Sequence, residues 1–120
     1  GKSGKDETIY ANRGGALLAN IPTIVLTNGT TASSSEIVAG ALKDYGKATI
    51  VGETTFGKGV VQTLLNLSGD TLLKVTTARW YTPNGTSING EGIKPDIEIE
   101  RTYEDINKDR DPQLDKALLM

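Results

Sequence analysis

The chain has 120 residues, with 13 Lys and Arg, 15 Asp and Glu, and a formal net charge of −2. This length suits one compact domain, and the mixed charges include no basic stripe of the kind that binds nucleic acid. Cysteine and histidine are both absent, which excludes zinc fingers, disulfides, thiol nucleophiles and Ser-His-Asp triads. Any nucleophilic catalysis therefore requires a base other than histidine, and no cofactor is expected.

The order of hydrophobic patterns predicts an α/β domain. A β-branched run at 21–28 predicts a central strand covered on both faces, and 47–53 predicts a second buried strand. Three later runs, separated by the turns "SGD" and "PNGTSINGEG", are predicted to be further strands. The predicted later strands are 59–67, 71–82 and 93–100, and a short strand is predicted at 8–10.

Helical spacing appears twice. The first helix begins at the serines of "TASSSEIVAGALKDYG" and ends at Gly46, where a helix C-terminal glycine belongs. A second helix opens at "DPQLDKALLM". The predicted buried face of the first helix consists of Ile37, Val38, Ala41, Leu42 and Tyr45.

The stretch "VGETTFGKG" allows three interpretations of Lys58. A phosphate-binding loop needs Ser or Thr after the lysine and a helix starting there, whereas Gly59 and the strand pattern that follows meet neither requirement. A solvated lysine in a hairpin turn is a simpler interpretation. The third is a catalytic base, because the serine cluster upstream supplies hydroxyl groups that such a base could activate.

The serine cluster itself also has two interpretations. Ser33 and Glu36 fit the S-x-x-E capping box, which alone would explain both residues. The same position, at the entry to a helix, leaves backbone N–H groups unpaired, so that they can hold a developing negative charge beside a nucleophilic serine.

Taken together, "TASSSEIVAGALKDYGKATIVGETTFGKGVVQ" resembles the catalytic core of the C-terminal processing peptidases, also called tail-specific proteases. Thr31 and Ser34 depart from the family pattern, in which a serine and an alanine are usual. The resemblance extends over nearly all of 21–120 and implies an α/β fold of the ClpP/crotonase type. Residues 1–20 would then be a loop or linker, and 21–120 the C-terminal portion of a peptidase catalytic domain.

The resemblance also implies site residues. Ser33 would be the nucleophile, Lys58 the general base, Gln62 the residue that orients the lysine amine, and the backbone N–H of Ser34 an oxyanion donor. A free lysine amine is almost wholly protonated near pH 7, so the site has to desolvate this amine. Phe56 and the flanking glycines leave room for apolar packing against it.

By the same resemblance the substrates would be proteins with disordered, apolar C-terminal tails, cleaved through an acyl-enzyme. The setting would be extracytoplasmic, in a bacterial periplasm or on the outer face of the cytoplasmic membrane, and a homo-oligomer is left open.

The family's upstream oxyanion turn is not assigned, because "ANRGGALL", which partly resembles it, stands too close to the first strand. The family's PDZ domain is not found in the 120 residues either. The 120 residues alone are therefore expected to be inactive or weak. A non-catalytic binding module on the same fold is the alternative.

Three other features rank lower. Asp105, Asn107 and Asp109 have calcium-loop spacing, but Arg110 and Lys116 occupy the glycine and glutamate positions, so a solvated turn is predicted and no metal site. Trp80 is expected to pack on a strand. Asp44 is expected to face solvent at the end of the first helix, although it also remains a candidate for the catalytic site.

Overall fold

The computed structural model describes residues 14–16 and 19–120, so the strand predicted at 8–10 lies outside the described residues. Helices and strands alternate at first, as the α/β prediction requires. The elements are β1 (Ile24–Thr27), α1 (Ser34–Asp44), β2 (Thr49–Gly52), β3 (Val60–Asn66), β4 (Leu72–Arg79), β5 (Ile97–Glu98), α2 (Tyr103–Asn107) and α3 (Pro112–Leu118).

A parallel sheet in the order β1-β2-β5 forms the centre of the fold. Ile50 and Val51 on β2 are fully buried, which confirms the prediction of a buried second strand. The prediction that the first strand is central is not confirmed, because among residues 14–16 and 19–120 β1 pairs on one side, with β2, and Leu26 is exposed. A β-branched run indicates a strand, but its place in the sheet is set by which strands pair with it.

An antiparallel hairpin of β3 and β4 forms a second sheet. The "SGD" turn joins the two strands as predicted, with Gly69 and Asp70 both at positive φ. The register shifts between Val61 and Gln62, so the strict two-residue alternation of faces is interrupted there.

Helix α1 connects β1 to β2 and ends as the sequence predicts, with Gly46 at φ 60°. The predicted buried face was wrong in part, because Ile37, Ala41 and Leu42 are half-buried but the other two residues are exposed. Val38 and Tyr45 are 57% and 67% exposed, whereas the buried residues of α1 are Glu36, Ala39 and Gly40. A carboxylate on the buried face interrupts the apolar stripe that the periodicity argument depends on.

The C-terminal part contains one helix that was predicted and one that was not. α3 begins as predicted, with Pro112 at its start and Asp111 as N-cap. The predicted turn around Asp105 is instead helix α2, whose N-cap Thr102 accepts a hydrogen bond from the Asp105 N–H. The Asp105 carboxylate accepts from Thr102 and pairs with Arg110 at 2.8 Å. In the described ranges no group of three acidic or histidine residues could hold a metal ion, and no helix is long and apolar enough to cross a membrane.

Gly52 provides a test of how tightly β1 and β2 are joined. It has a φ of 127°, and a Cβ at this position would overlap the carbonyl oxygen of Thr27. We expect Gly52→Ala to reduce the free energy of unfolding by about 2–4 kcal/mol, through backbone strain and the clash together. Thermal unfolding followed by circular dichroism measures this. Gly29→Ala is the control, because open space surrounds Gly29; equal melting temperatures for the two variants would contradict the expectation.

Candidate active site

The serine loop, residues 28–33, leads from the carboxyl end of β1 into α1. Asn28 organises it, because its side-chain oxygen accepts hydrogen bonds from the N–H and hydroxyl of Thr30 at 3.0 and 2.7 Å. The loop ends at Ser33, which has φ 55° and ψ −119°. Such a conformation costs a non-glycine residue on the order of 1–3 kcal/mol and recurs at functional sites. A strained turn of this kind between a strand and a helix is how some hydrolases present a nucleophilic serine.

The capping box predicted for Ser33 and Glu36 is present. The Glu36 carboxylate accepts the backbone N–H of Ser33 at 2.9 Å. The Ser33 side chain faces the backbone N–H of Glu36, as a capping box requires, although no regular hydrogen bond joins the two groups. Ser33, which is half-buried, therefore takes part in the cap without its hydroxyl being held by a regular hydrogen bond.

The lysine loop, residues 53–59, connects β2 to β3. These strands belong to different sheets, so the loop is not the hairpin turn that was predicted, although Lys58 is exposed as that interpretation of a solvated lysine requires. The phosphate-loop interpretation fails as the sequence predicts, because β3 rather than a helix follows. The backbone N–H groups of Gly57 and Lys58 do bind an anion, but that anion is the carboxylate of Glu36.

The Glu36 carboxylate is fully buried and joins the two loops. Oε1 accepts from the Thr55 hydroxyl and the Gly57 N–H, both at 2.6 Å. Oε2 accepts from the N–H groups of Ser33 and Lys58 at 2.9 and 2.8 Å. Burial opposes ionisation, but these hydrogen bonds, led by that of Thr55, outweigh it and lower the pKa of Glu36 below its ordinary value of 4.5.

A turn at residues 88–92 supports the lysine loop from the other side. Its Gly90 N–H donates to the Gly57 carbonyl at 2.9 Å. A Cβ on Gly59 would overlap the backbone of Asn89, so only glycine allows the two segments to approach this closely. The lysine loop is thus held between the Glu36 carboxylate and this turn.

Ser33, Lys58 and Gln62 line one open cleft of about 550 Å³, and Ser34 lines it as well. The structure therefore brings all the residues proposed from the sequence together. Strand alternation alone does not place Lys58 and Gln62 on one face, because Lys58 precedes β3 and the register shift falls just before Gln62. The remaining lining residues are Ile37, Val60, Val61, Leu64, Lys74 and Trp80.

One expectation for the lysine is not met among the described residues. Lys58 is exposed, and Phe56, which was expected to supply apolar packing, is 65% exposed. The Phe56 backbone N–H instead donates to the Thr31 carbonyl at 2.9 Å, which ties the lysine loop to the serine loop.

Two residues differ from their sequence-based interpretation. Trp80 was expected to pack on a strand, but it follows β4, is 42% exposed and lines the cleft. Asp44 is not a simple solvent-facing residue, because its carboxylate accepts the Asn84 N–H at 2.8 Å. Hydrogen bonds from the Thr82 hydroxyl and from this N–H lower the pKa of Asp44. Asp44 thus joins the end of α1 to the loop after β4, and it is not among the residues that line the cleft.

A model of peptidase family S41 matches residues 1–99. The chain belongs to peptidase family S41. It is 46% identical over 119 residues to the carboxy-terminal-processing protease of Bartonella bacilliformis, covering 99% of this chain and 27% of the relative. It is 46% identical over 92 residues to the chloroplastic C-terminal processing peptidase of Tetradesmus obliquus, covering 77% of this chain and 20% of the relative. The chain thus spans about a quarter or less of the length of these relatives.

A solved structure shares the fold of this S41 segment. The photosystem II D1 C-terminal processing protease aligns with a TM-score of 0.63 and 49% identity, over 66% of this chain and 20% of that protein. The mixed helix and strand architecture described above is therefore that of an α/β peptidase-domain segment.

The lowered pKa of Glu36 predicts acid-sensitive stability. A carboxylate whose folded pKa is depressed stabilises the fold above the unfolded value, and this contribution is lost as pH falls through the folded pKa. We expect the wild-type melting temperature to fall more steeply below about pH 4.5 than that of Glu36→Gln. The pKa of Asp96 is also lowered, but Asp96 titrates in both proteins. Its contribution is therefore absent from the difference between the two melting-temperature curves. Parallel curves of melting temperature against pH would contradict this account of Glu36.

Proposed function

We propose that the chain carries the serine-lysine centre of an endopeptidase that trims proteins near disordered, apolar C-terminal tails. The observation that carries the proposal is the convergence of Ser33, Lys58 and Gln62 on one cleft, from three different segments of the chain. Membership of family S41 supports the peptidase class.

Ser33 is the proposed nucleophile. It holds the strained conformation at the start of α1, and it lines the cleft. Ser34 also lines the cleft, but it is the first residue of the helix and has no such strain. The geometry therefore favours the hydroxyl of Ser33 over that of its neighbour.

The backbone N–H of Ser34 is the proposed oxyanion donor. It lies in the first turn of α1, where helix N–H groups lack intrahelical partners and the helix dipole favours negative charge. Among the residues that the structure describes, this N–H has no hydrogen-bond acceptor. It is therefore available to a tetrahedral intermediate that forms on Ser33.

Lys58 acts in the proposed reaction as base and then as acid. Its neutral amine takes the Ser33 hydroxyl proton as Oγ attacks the scissile carbonyl carbon, and the ammonium returns the proton to the leaving amine nitrogen. Water then attacks the carbonyl carbon of the resulting ester as the same amine takes its proton. The bond from this carbon to Ser33 Oγ breaks, and the ammonium returns the proton to Oγ, which restores the serine hydroxyl. Gln62, on the cleft wall, can orient the amine without adding charge.

The cleft chemistry fits a peptide substrate. Ile37, Val60, Leu64 and Trp80 provide apolar walls suited to apolar side chains, and the open shape admits an extended chain. Relatives named C-terminal processing proteases support the choice of tails as substrates.

We further propose that the protein acts in an extracytoplasmic setting, and the chloroplastic relative supports a compartment outside the cytoplasm. We also propose that it uses no cofactor and binds no nucleic acid, and we leave open whether it forms a homo-oligomer.

Lys58 is exposed, which affects both the activity expected of these 120 residues alone and the choice between the two candidate functions. A base that depends on desolvation is not fully enclosed by the described residues, so we propose that these 120 residues alone cleave weakly. The same exposure is the observation that favours the alternative function, a non-catalytic peptide-binding module on this fold.

The proposal predicts that the full-length protein shortens a test protein with an apolar unstructured C-terminal tail. Ser33→Ala and Lys58→Ala should each reduce the rate at least about 10³-fold, because they remove the nucleophile and its base. Intact-mass spectrometry of the tail measures the rate. Ser35→Ala, outside the cleft lining, is the matched control and should retain the rate. Tail binding without cleavage by any of these proteins would favour the binding module instead.

A further inference from the structure

We propose that Glu36 is a positioning residue for the reaction, whose carboxylate holds the serine loop and the lysine loop in the one arrangement that turns Ser33 and Lys58 toward the same cleft. This inference rests on the proposed serine-lysine function. Glu36 is not itself placed among the residues that line the cleft, so it would act through the backbone of the two reacting residues.

One carboxylate oxygen of Glu36 is shared by the two loops. Oε2 of Glu36 accepts the backbone N–H of Ser33 at 2.9 Å and that of Lys58 at 2.8 Å. These two residues lie 25 positions apart in sequence and on different loops, yet their peptide groups meet at one atom. A displacement of either loop relative to the other would break one of these two bonds.

Hydrogen bonds from both loops satisfy the charge of Glu36. In residues 14–16 and 19–120, Glu36 forms no salt bridge, and its partners are one hydroxyl and three backbone N–H groups. An ordinary capping glutamate needs only the N–H of its N-cap residue. Glu36 does more than cap α1, because three of its four donors come from the lysine loop.

Thr55 extends this hydrogen-bond network beyond the two loops. Its hydroxyl donates to Oε1 at 2.6 Å and accepts the N–H of Ile93 at 2.7 Å. The chain of hydrogen bonds therefore continues from the start of α1, through the carboxylate, to the segment next to the 88–92 turn. Such a buried and fully satisfied network rigidifies the atoms that it joins.

Glutamine cannot replace this carboxylate. Its NH₂ group donates rather than accepts, so either the Ser33 and Lys58 pair or the Thr55 and Gly57 pair would face a donor. The affected loop would then move away. Displacing a reacting group by about 1 Å can cost on the order of 10²-fold in rate without a loss of substrate affinity.

The test measures kcat and KM for peptide cleavage by the full-length wild type and by Glu36→Gln, at a temperature where circular dichroism shows both folded. We expect kcat per folded molecule to fall about 10²-fold while KM stays within about threefold. Glu98→Gln, an exposed glutamate on β5, is the matched control and should keep both constants. A kcat within twofold of wild type for Glu36→Gln, with Ser33→Ala inactive, overturns the inference and leaves the proposed function intact.

Thr55 keeps the test decisive where Glu36→Gln does not fold. Thr55→Val removes one donor to Oε1 and leaves the carboxylate in place, so we expect a smaller fall in kcat, about 3- to 10-fold, with KM unchanged. Thr55→Ser retains the hydroxyl and should restore kcat. Equal kcat for Thr55→Val and wild type overturns the inference. Full activity of Ser33→Ala is a different result, because it overturns the proposed function first.

Discussion

The buried carboxylate of Glu36 is the constraint on which the arrangement of this segment depends. An ionised group that is removed from water costs several kcal/mol unless it is closely compensated, and here one hydroxyl and three N–H groups compensate it. The buried charge and the position of the lysine loop therefore depend on each other. The lysine loop must fold against the start of α1 to satisfy the charge, and the charge in turn fixes where that loop can lie.

The local backbone follows from this constraint. Ser33 is held at a positive φ that its own sequence does not favour, and the surrounding hydrogen bonds have to maintain it. Gly57 and Gly59 let the lysine loop pass close to the 88–92 turn, where a side chain would collide with backbone. Ser33 is thus held in a strained conformation, and glycines flank Lys58 on both sides. Both features allow the Ser33 and Lys58 side chains, which are distant in sequence, to line the same cleft.

The sequence predicted the elements better than it predicted their surroundings. The β-branched run of β2, the turn at Gly69 and the helix end at Gly46 follow from local preferences, and the structure confirms them. The buried face of α1 could not be predicted from periodicity, because one of its buried residues is a glutamate, and three of the four partners of this glutamate lie 19 to 22 positions away. The S-x-x-E pattern was the visible signal, but it indicates only a helix cap.

In the site, too, the residues were predicted better than their surroundings. Ser33, Lys58 and Gln62 were identified through a resemblance, and the structure brings them to one cleft. Trp80 was missed as a lining residue, since a tryptophan next to a strand gives no sign of which surface it faces. The enclosure of the lysine amine was expected from adjacent residues in the sequence, whereas the backbone of Phe56 is used to join the loops and its ring is left exposed.

The most direct test of this account is the identity of the residue that becomes acylated. Full-length protein would be mixed with an activated peptide ester, quenched in acid and digested, and the acylated peptide would be sequenced by mass spectrometry. The account predicts an acyl group on Ser33, formed much more slowly in Lys58→Ala. Acylation of Ser34 or Ser35, or acylation of Ser33 at the same rate without the lysine, would contradict it.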